Sequence, residues 1–122
     1  MLVDMESFIY RAQVLKVVDG DTVDLYIDQG FHSYRFERAR LLGVNTPEMH
    51  ADDEKLRTKA LEAKNYMIEL LKPNPVIGET WPVMIRTHKS DVFGRWLCDL
   101  YMGDFYVNKS LLDKGLAVPF KK

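Results

Sequence analysis

Arg40-Leu41-Leu42-Gly43-Val44-Asn45-Thr46-Pro47-Glu48 sets a guanidinium, two oxygen donors and a carboxylate within nine residues, where an extended segment runs into a turn. The residues before it half-alternate, with Tyr34, Phe36 and Leu42 among the apolar members, which predicts a strand from about His32 to Leu42. Pro47 donates no backbone N–H and stops that strand, so the polar groups are expected where the sheet ends. Side chains at such a point are held by a rigid scaffold and still face solvent and ligand.

Working outward, Phe8 to Val18 is rich in Ile, Val, Leu and Tyr and reads as a strand that closes at Asp19-Gly20, a strong hairpin signal. Thr22 to Ile27 follows as a second strand, alternating Val23, Leu25 and Ile27 against more polar neighbours, and Asp28-Gln29-Gly30 is its turn. Three sequential strands make an antiparallel meander that curls into a barrel if further strands close it. Downstream, Asp52 and Asp53 offer N-cap oxygens. Leu56, Ala60, Ala63, Met67 and Leu70-Leu71 then recur at helical spacing until Pro73, which predicts an amphipathic helix. Val76 to Thr87 returns to strand character, with Pro82 pointing to an edge or bulge, and Trp96 to Tyr101 forms another strand. Asn108 is expected to cap a short helix over Lys109 to Lys114, ended by Gly115. The order is βββ-α-ββ-α in a single domain over 1–122.

The chain has 122 residues and a net charge of −1, which argues against coating nucleic acid over the whole surface but allows a local basic cleft. No apolar run approaches the ~20 residues of a membrane helix. The first residues carry no basic and apolar leader pattern, so a cytoplasmic protein is expected. A monomer is expected as well. The single cysteine, Cys98, excludes an internal disulfide and a multi-cysteine zinc site, and its apolar setting predicts a buried thiol. Lys55, Arg57, Lys59 and Lys64 alternate with acidic residues, so they read as a solvated helix face.

Three constellations carry chemistry. Asp19-Gly20-Asp21-Thr22 places two carboxylates around a glycine turn, as a hard divalent cation requires, although Asp and Gly also populate ordinary hairpins. In the opening stretch Asn45 offers an amide oxygen, Thr46 its carbonyl and Glu48 a base, while Arg40 can fork two donors onto a phosphate; a plain helix-initiating turn uses the same Thr-Pro-Glu. Phe93-Gly94-Arg95, taken alone, is a loop with a surface arginine.

Together and in this order they resemble the staphylococcal nuclease (thermonuclease) family: Val18-Asp19-Gly20-Asp21-Thr22-Val23, Arg40 through Glu48, Phe93-Gly94-Arg95, then Asn108-Lys109-Ser110-Leu111-Leu112 and Lys114-Gly115-Leu116-Ala117. The resemblance covers roughly residues 10 to 118. It implies a β-rich α+β fold, a five-stranded OB-fold barrel with a helix between strands 3 and 4 and a short helix near the C-terminus. It also implies Ca²⁺ held by Asp21, Asn45 and the Thr46 carbonyl, with Asp19 in the outer shell, Arg40 and Arg95 on the scissile phosphate, and Glu48 orienting or deprotonating water. DNA and RNA are the implied substrates, cut to leave 3′-phosphate ends. The alternative is an OB-fold nucleic-acid-binding module with weak or no catalysis.

The chain departs from the family pattern in four places. Asn45 stands where an aspartate is usual, and Phe93 where tyrosine is frequent. The loop after Met49 is shorter than in the secreted enzyme. The chain reaches Lys122 without a third helix or its base-stacking tyrosines, which leaves Phe120 to supply part of that role.

Overall fold

The computed structural model describes residues 8–78, 80–90 and 94–120. Its elements are β1 (Ile9–Asp19), β2 (Thr22–Asp28), β3 (Tyr34–Leu41), β4 (Val44–Asn45), α1 (Glu54–Leu71), β5 (Val83–Ser90), β6 (Trp96–Met102), β7 (Phe105–Tyr106), α2 (Val107–Asp113) and β8 (Val118–Pro119). The main sheet has the order β3-β2-β1-β5-β6-β7 and closes on itself through a parallel pairing of β3 with β6. The barrel therefore comprises β1, β2, β3, β5 and β6. Two register shifts in β1, between Val14 and Lys16 and between Val17 and Asp19, give it the extra bend that closure needs. Val14, Val23, Leu25, Leu41, Ile85 and Leu100 are fully buried in the interior.

Helix α1 plugs one side of this core. Its buried residues are Ala60, Ala63, Met67 and Leu71, a single stripe at helical spacing. Asp53 is the N-cap, accepting from the Lys55 backbone N–H at 2.8 Å, and Lys72 ends the helix in the left-handed conformation just before Pro73. Leu56, expected on the buried stripe, is exposed, because the first turn of α1 runs beyond the barrel wall. The β1–β2 turn packs hard against the helix. A Cβ on Gly20 would sit 2.7 Å from Cβ of Ala63 and 2.9 Å from Cγ2 of Thr46, so glycine is required there by contact.

Several local expectations change. Residues 76–78 and 80–82 are not a strand. They drape over β1, where the Gln13 side chain donates to the carbonyls of Asn74 and Val76 and accepts from the Gly78 N–H. That explains why a glutamine is buried in a strand. β3 runs Tyr34–Leu41, ending within a residue of the expected Leu42, and the chain turns at Leu42–Gly43, with Gly43 at φ 81°, before the two-residue β4. Tyr34 and Phe36 point outward, so the apolar alternation of β3 marks its solvent face. Asn108 is not a cap. Tyr106 holds that position without a side-chain bond, and Asn108 is buried in the first turn of α2. The expectation for Phe93 lies outside the described residues.

Candidate active site

The cleft is built where β1 turns into β2, and every piece is delivered by a different pairing. Asp19 ends β1 opposite Thr22, and the Leu41 N–H donates to the Asp21 carbonyl, bringing β3 against the turn. Arg40 pairs with Thr22 across β2–β3. Parallel closure then sets Ala39 against Trp96 and Arg40 against Leu97, so Arg95, at the entry to β6, arrives beside the same end of β3. Two arginines far apart in sequence are thus brought together by the closure of the barrel.

Asn45 and Thr46 are held from three sides. Asn108 accepts from the Leu100 N–H at 2.9 Å and donates to the carbonyls of Leu42 and Cys98, tying α2, β6 and the end of β3 together. Strand β8 pairs with β4, Asn45 opposite Val118, and the Phe120 N–H donates to the Gly43 carbonyl. This last bond sets the Phe120 ring against the Arg40 guanidinium, centroid to Cζ 4.9 Å. Phe120, expected as a platform for bases, therefore also shelves the arginine.

The polar network is compact. Asp21 accepts from the Thr22 hydroxyl at 3.0 Å and the Thr46 N–H at 3.1 Å, and Arg40 Nη2 lies 3.4 Å away. The same Nη2 donates to Asn45 Oδ1 at 2.9 Å. Arg40 and Asp21 are both buried, which strengthens their attraction relative to a surface pair. Asp19 is different. Burial and the neighbouring Asp21 charge push its carboxyl above the usual range, while Lys64, Arg95 and Arg38 pull it back. Its Oδ1, like the Thr46 hydroxyl, is buried with no hydrogen-bond partner among the described residues. Glu48 lies two residues past Thr46, exposed, its carboxylate unpartnered among the described residues. The structure thus gathers Asp19, Asp21, Arg40, Asn45 and Thr46 at the β1–β2 turn with Arg95 close enough to act on the Asp19 charge, and leaves Glu48 exposed two residues past Thr46.

Sequence reasoning named three further residues without these contacts: Asn108, read as a cap, braces the Leu42–Thr46 turn; Phe120, expected to stack on bases, stands over Arg40; and Lys64, read as solvated helix face, comes close enough to Asp19 to act on its charge. All three contacts depend on tertiary partners. Among the described residues no three His, Cys, Asp or Glu side chains form a metal-binding group. The Asp21 carboxylate and the Asn45 amide oxygen meet at Arg40, with the Asp19 carboxylate on the same turn. That all-oxygen set, with one buried carboxylate oxygen unsatisfied, fits a hard divalent ion in its chemistry.

A five-stranded barrel with a helix between its third and fourth strands defines the OB class. Within it, residues 38–122 match the family described as staphylococcal nuclease homologue, and the chain belongs to that family. A thermonuclease of Staphylococcus intermedius is 32% identical over 104 residues, covering 85% of this chain and 56% of the relative. The uncharacterized protein MJ1439 of Methanocaldococcus jannaschii is 29% identical over 130 residues, covering 88% of this chain and 58% of the relative. The chain spans somewhat more than half the length of these curated relatives. Among the described residues no helix is long and apolar enough to cross a membrane.

Proposed function

We propose that the protein is a calcium-dependent nuclease that hydrolyses phosphodiester bonds of DNA and RNA and leaves 3′-phosphate ends. The observation that carries this reading is the convergence of Arg40 and Arg95 on the Asp19–Asp21 turn through the closing pair of the barrel. Water attacks phosphorus, the bond from phosphorus to the 5′-oxygen breaks, and that oxygen takes a proton. Negative charge grows on the equatorial oxygens during attack. Guanidiniums fixed in a partly buried cleft stabilise it more in the transition state than in the ground state. Arg40 and Arg95 supply the donors, as planar forks suited to phosphate. Glu48, exposed two residues beyond Thr46, orients the attacking water or takes its proton. Asp21, Asn45 and the Thr46 carbonyl, with Asp19 beyond them, would hold calcium, which supplies further positive charge at the phosphate when bound.

Asn45 favours a second reading. An amide in place of a carboxylate removes one formal charge from the cation site, as in a binding module with weak or no turnover. The deciding experiment incubates the protein with single-stranded DNA, with calcium or with chelator, and analyses the ends. Calcium-dependent 3′-phosphate products are expected; binding without product overturns the nuclease reading in favour of the module. The proposal includes a monomer, checked by light scattering, and a cytoplasmic setting, checked by cell fractionation.

A further inference from the structure

The face of β3 that carries Arg40 continues into a feature the cleft does not use. In the β2–β3 register Arg40, Arg38, Phe36 and Tyr34 stand opposite Thr22, Asp24, Tyr26 and Asp28. Alternation puts all four β3 side chains on one face, with Phe36 about 13 Å and Tyr34 about 20 Å along the strand from Arg40. The draped segment pinned by Gln13 delivers Trp81 to the same face.

These rings are arranged flat. Tyr26, Tyr34 and Trp81 lie within 13–16° of parallel, with the three centroid separations at 5.4, 5.8 and 6.0 Å. In a column the two outer rings would be much further apart than either neighbouring pair, so the three are stacked with lateral offsets that leave ring surface uncovered. Phe36 adjoins Tyr26 at 4.9 Å, tilted by 42°. The Arg11 guanidinium covers Trp81 at 4.7 Å.

A cluster serving only to seal the sheet would bury its rings. Phe36 is 58% exposed and Tyr34 41%. The adjacent cations are already matched, Arg38 with Asp24 and Arg11 with Asp28, so the surface offers ring faces rather than net charge. That suits the bases of a single strand, which stack on aromatic side chains whatever their sequence. A duplex keeps those base faces inside.

We propose that Tyr26, Tyr34, Phe36 and Trp81 form a base-stacking subsite for single-stranded nucleic acid, holding nucleotides that flank the linkage gripped by Arg40. The choice of ligand rests on the nuclease reading of the cleft. The test measures binding of a labelled single-stranded oligonucleotide of about ten nucleotides, within the span of one OB fold, by fluorescence anisotropy in chelator, where no cleavage interferes. Phe36→Ala and Tyr34→Ala, both exposed and checked for folding by circular dichroism, are each expected to weaken binding about tenfold. Phe36→Trp is expected to retain the affinity, and binding of a duplex of the same sequence to be insensitive to all three changes. Parental affinity in both alanine variants, or equal losses for duplex and single strand, would overturn the proposal. Product formation by the unmodified protein with calcium is read separately. If it makes no product yet its binding still depends on Phe36 and Tyr34, the nuclease reading fails and the platform stands.

Discussion

Arg40 Nη2 donates to Asn45 Oδ1 at 2.9 Å and stands 3.4 Å from Asp21 Oδ2, so one guanidinium bridges two of the oxygens proposed as calcium ligands. The cleft thus carries an internal cation that partly balances Asp21. Restoring a carboxylate should shift that balance toward an external ion. At an effective dielectric near 20 and 4 Å a carboxylate attracts a divalent ion by at most about 8 kcal/mol, and desolvation together with a tighter hold on Arg40 offsets most of it. Asn45→Asp is expected to raise calcium affinity by about tenfold, measured by isothermal titration calorimetry. Unchanged affinity would remove residue 45 from the ligand set.

Arg40 serves two acceptors and stands over the Phe120 ring, a role that suits a planar, multi-donor group. Arg40→Lys should therefore behave almost like Arg40→Ala. Each is expected to lower kcat/KM by about 10²–10³-fold, as loss of a preorganised oxyanion donor does. Arg95→Ala should fall in the same range. Parental cleavage by purified Arg95→Ala would take that residue out of the chemistry.

Asn108 answers one buried N–H and two carbonyls on separate elements. In Asn108→Ala all three lose their side-chain partner together. A single unsatisfied buried group costs about 1–3 kcal/mol, so a loss of about 3 kcal/mol is expected in urea unfolding with an unchanged m-value. Stability within a few tenths of the parent would mean that these bonds contribute little.

Asp19 gives a pH signature. Its carboxyl is raised in the folded protein, first by burial and then by Asp21. The folded state therefore binds this proton more tightly than the unfolded chain, and stability declines as pH rises from near 3.8 through the higher folded value. Asp19→Asn removes that penalty. The variant should melt higher than the parent at neutral pH without metal, and its advantage should shrink as the pH falls below the window. A constant difference between the two melting curves across that range would contradict the assignment.

The elements legible in the sequence were those with local causes. The Asp19-Gly20-Asp21 turn, the α1 stripe with its Asp53 cap, and the stop at Pro73 all follow from short-range chemistry. Residues 76–82 misled because Val76 and Trp81 have strand composition, yet their backbone is satisfied by the Gln13 side chain from another strand. Strands β4 and β8 are two residues each, below what any periodicity can reveal. The site residues were readable as motif blocks. Asn108 looked like a cap because asparagine before a helix usually is one, and its true partners, Leu42, Cys98 and Leu100, are adjacent only after folding.

The pairing of β3 with β6 joins residues 39–41 to 96–98 and sets the entry to β6, where Arg95 stands, beside the end of β3. A chain still being synthesised and extended only to Ser90 would already possess the acidic turn and its first arginine, but not the second. If the proposed chemistry needs both guanidiniums, it would have to await the synthesis and docking of β6.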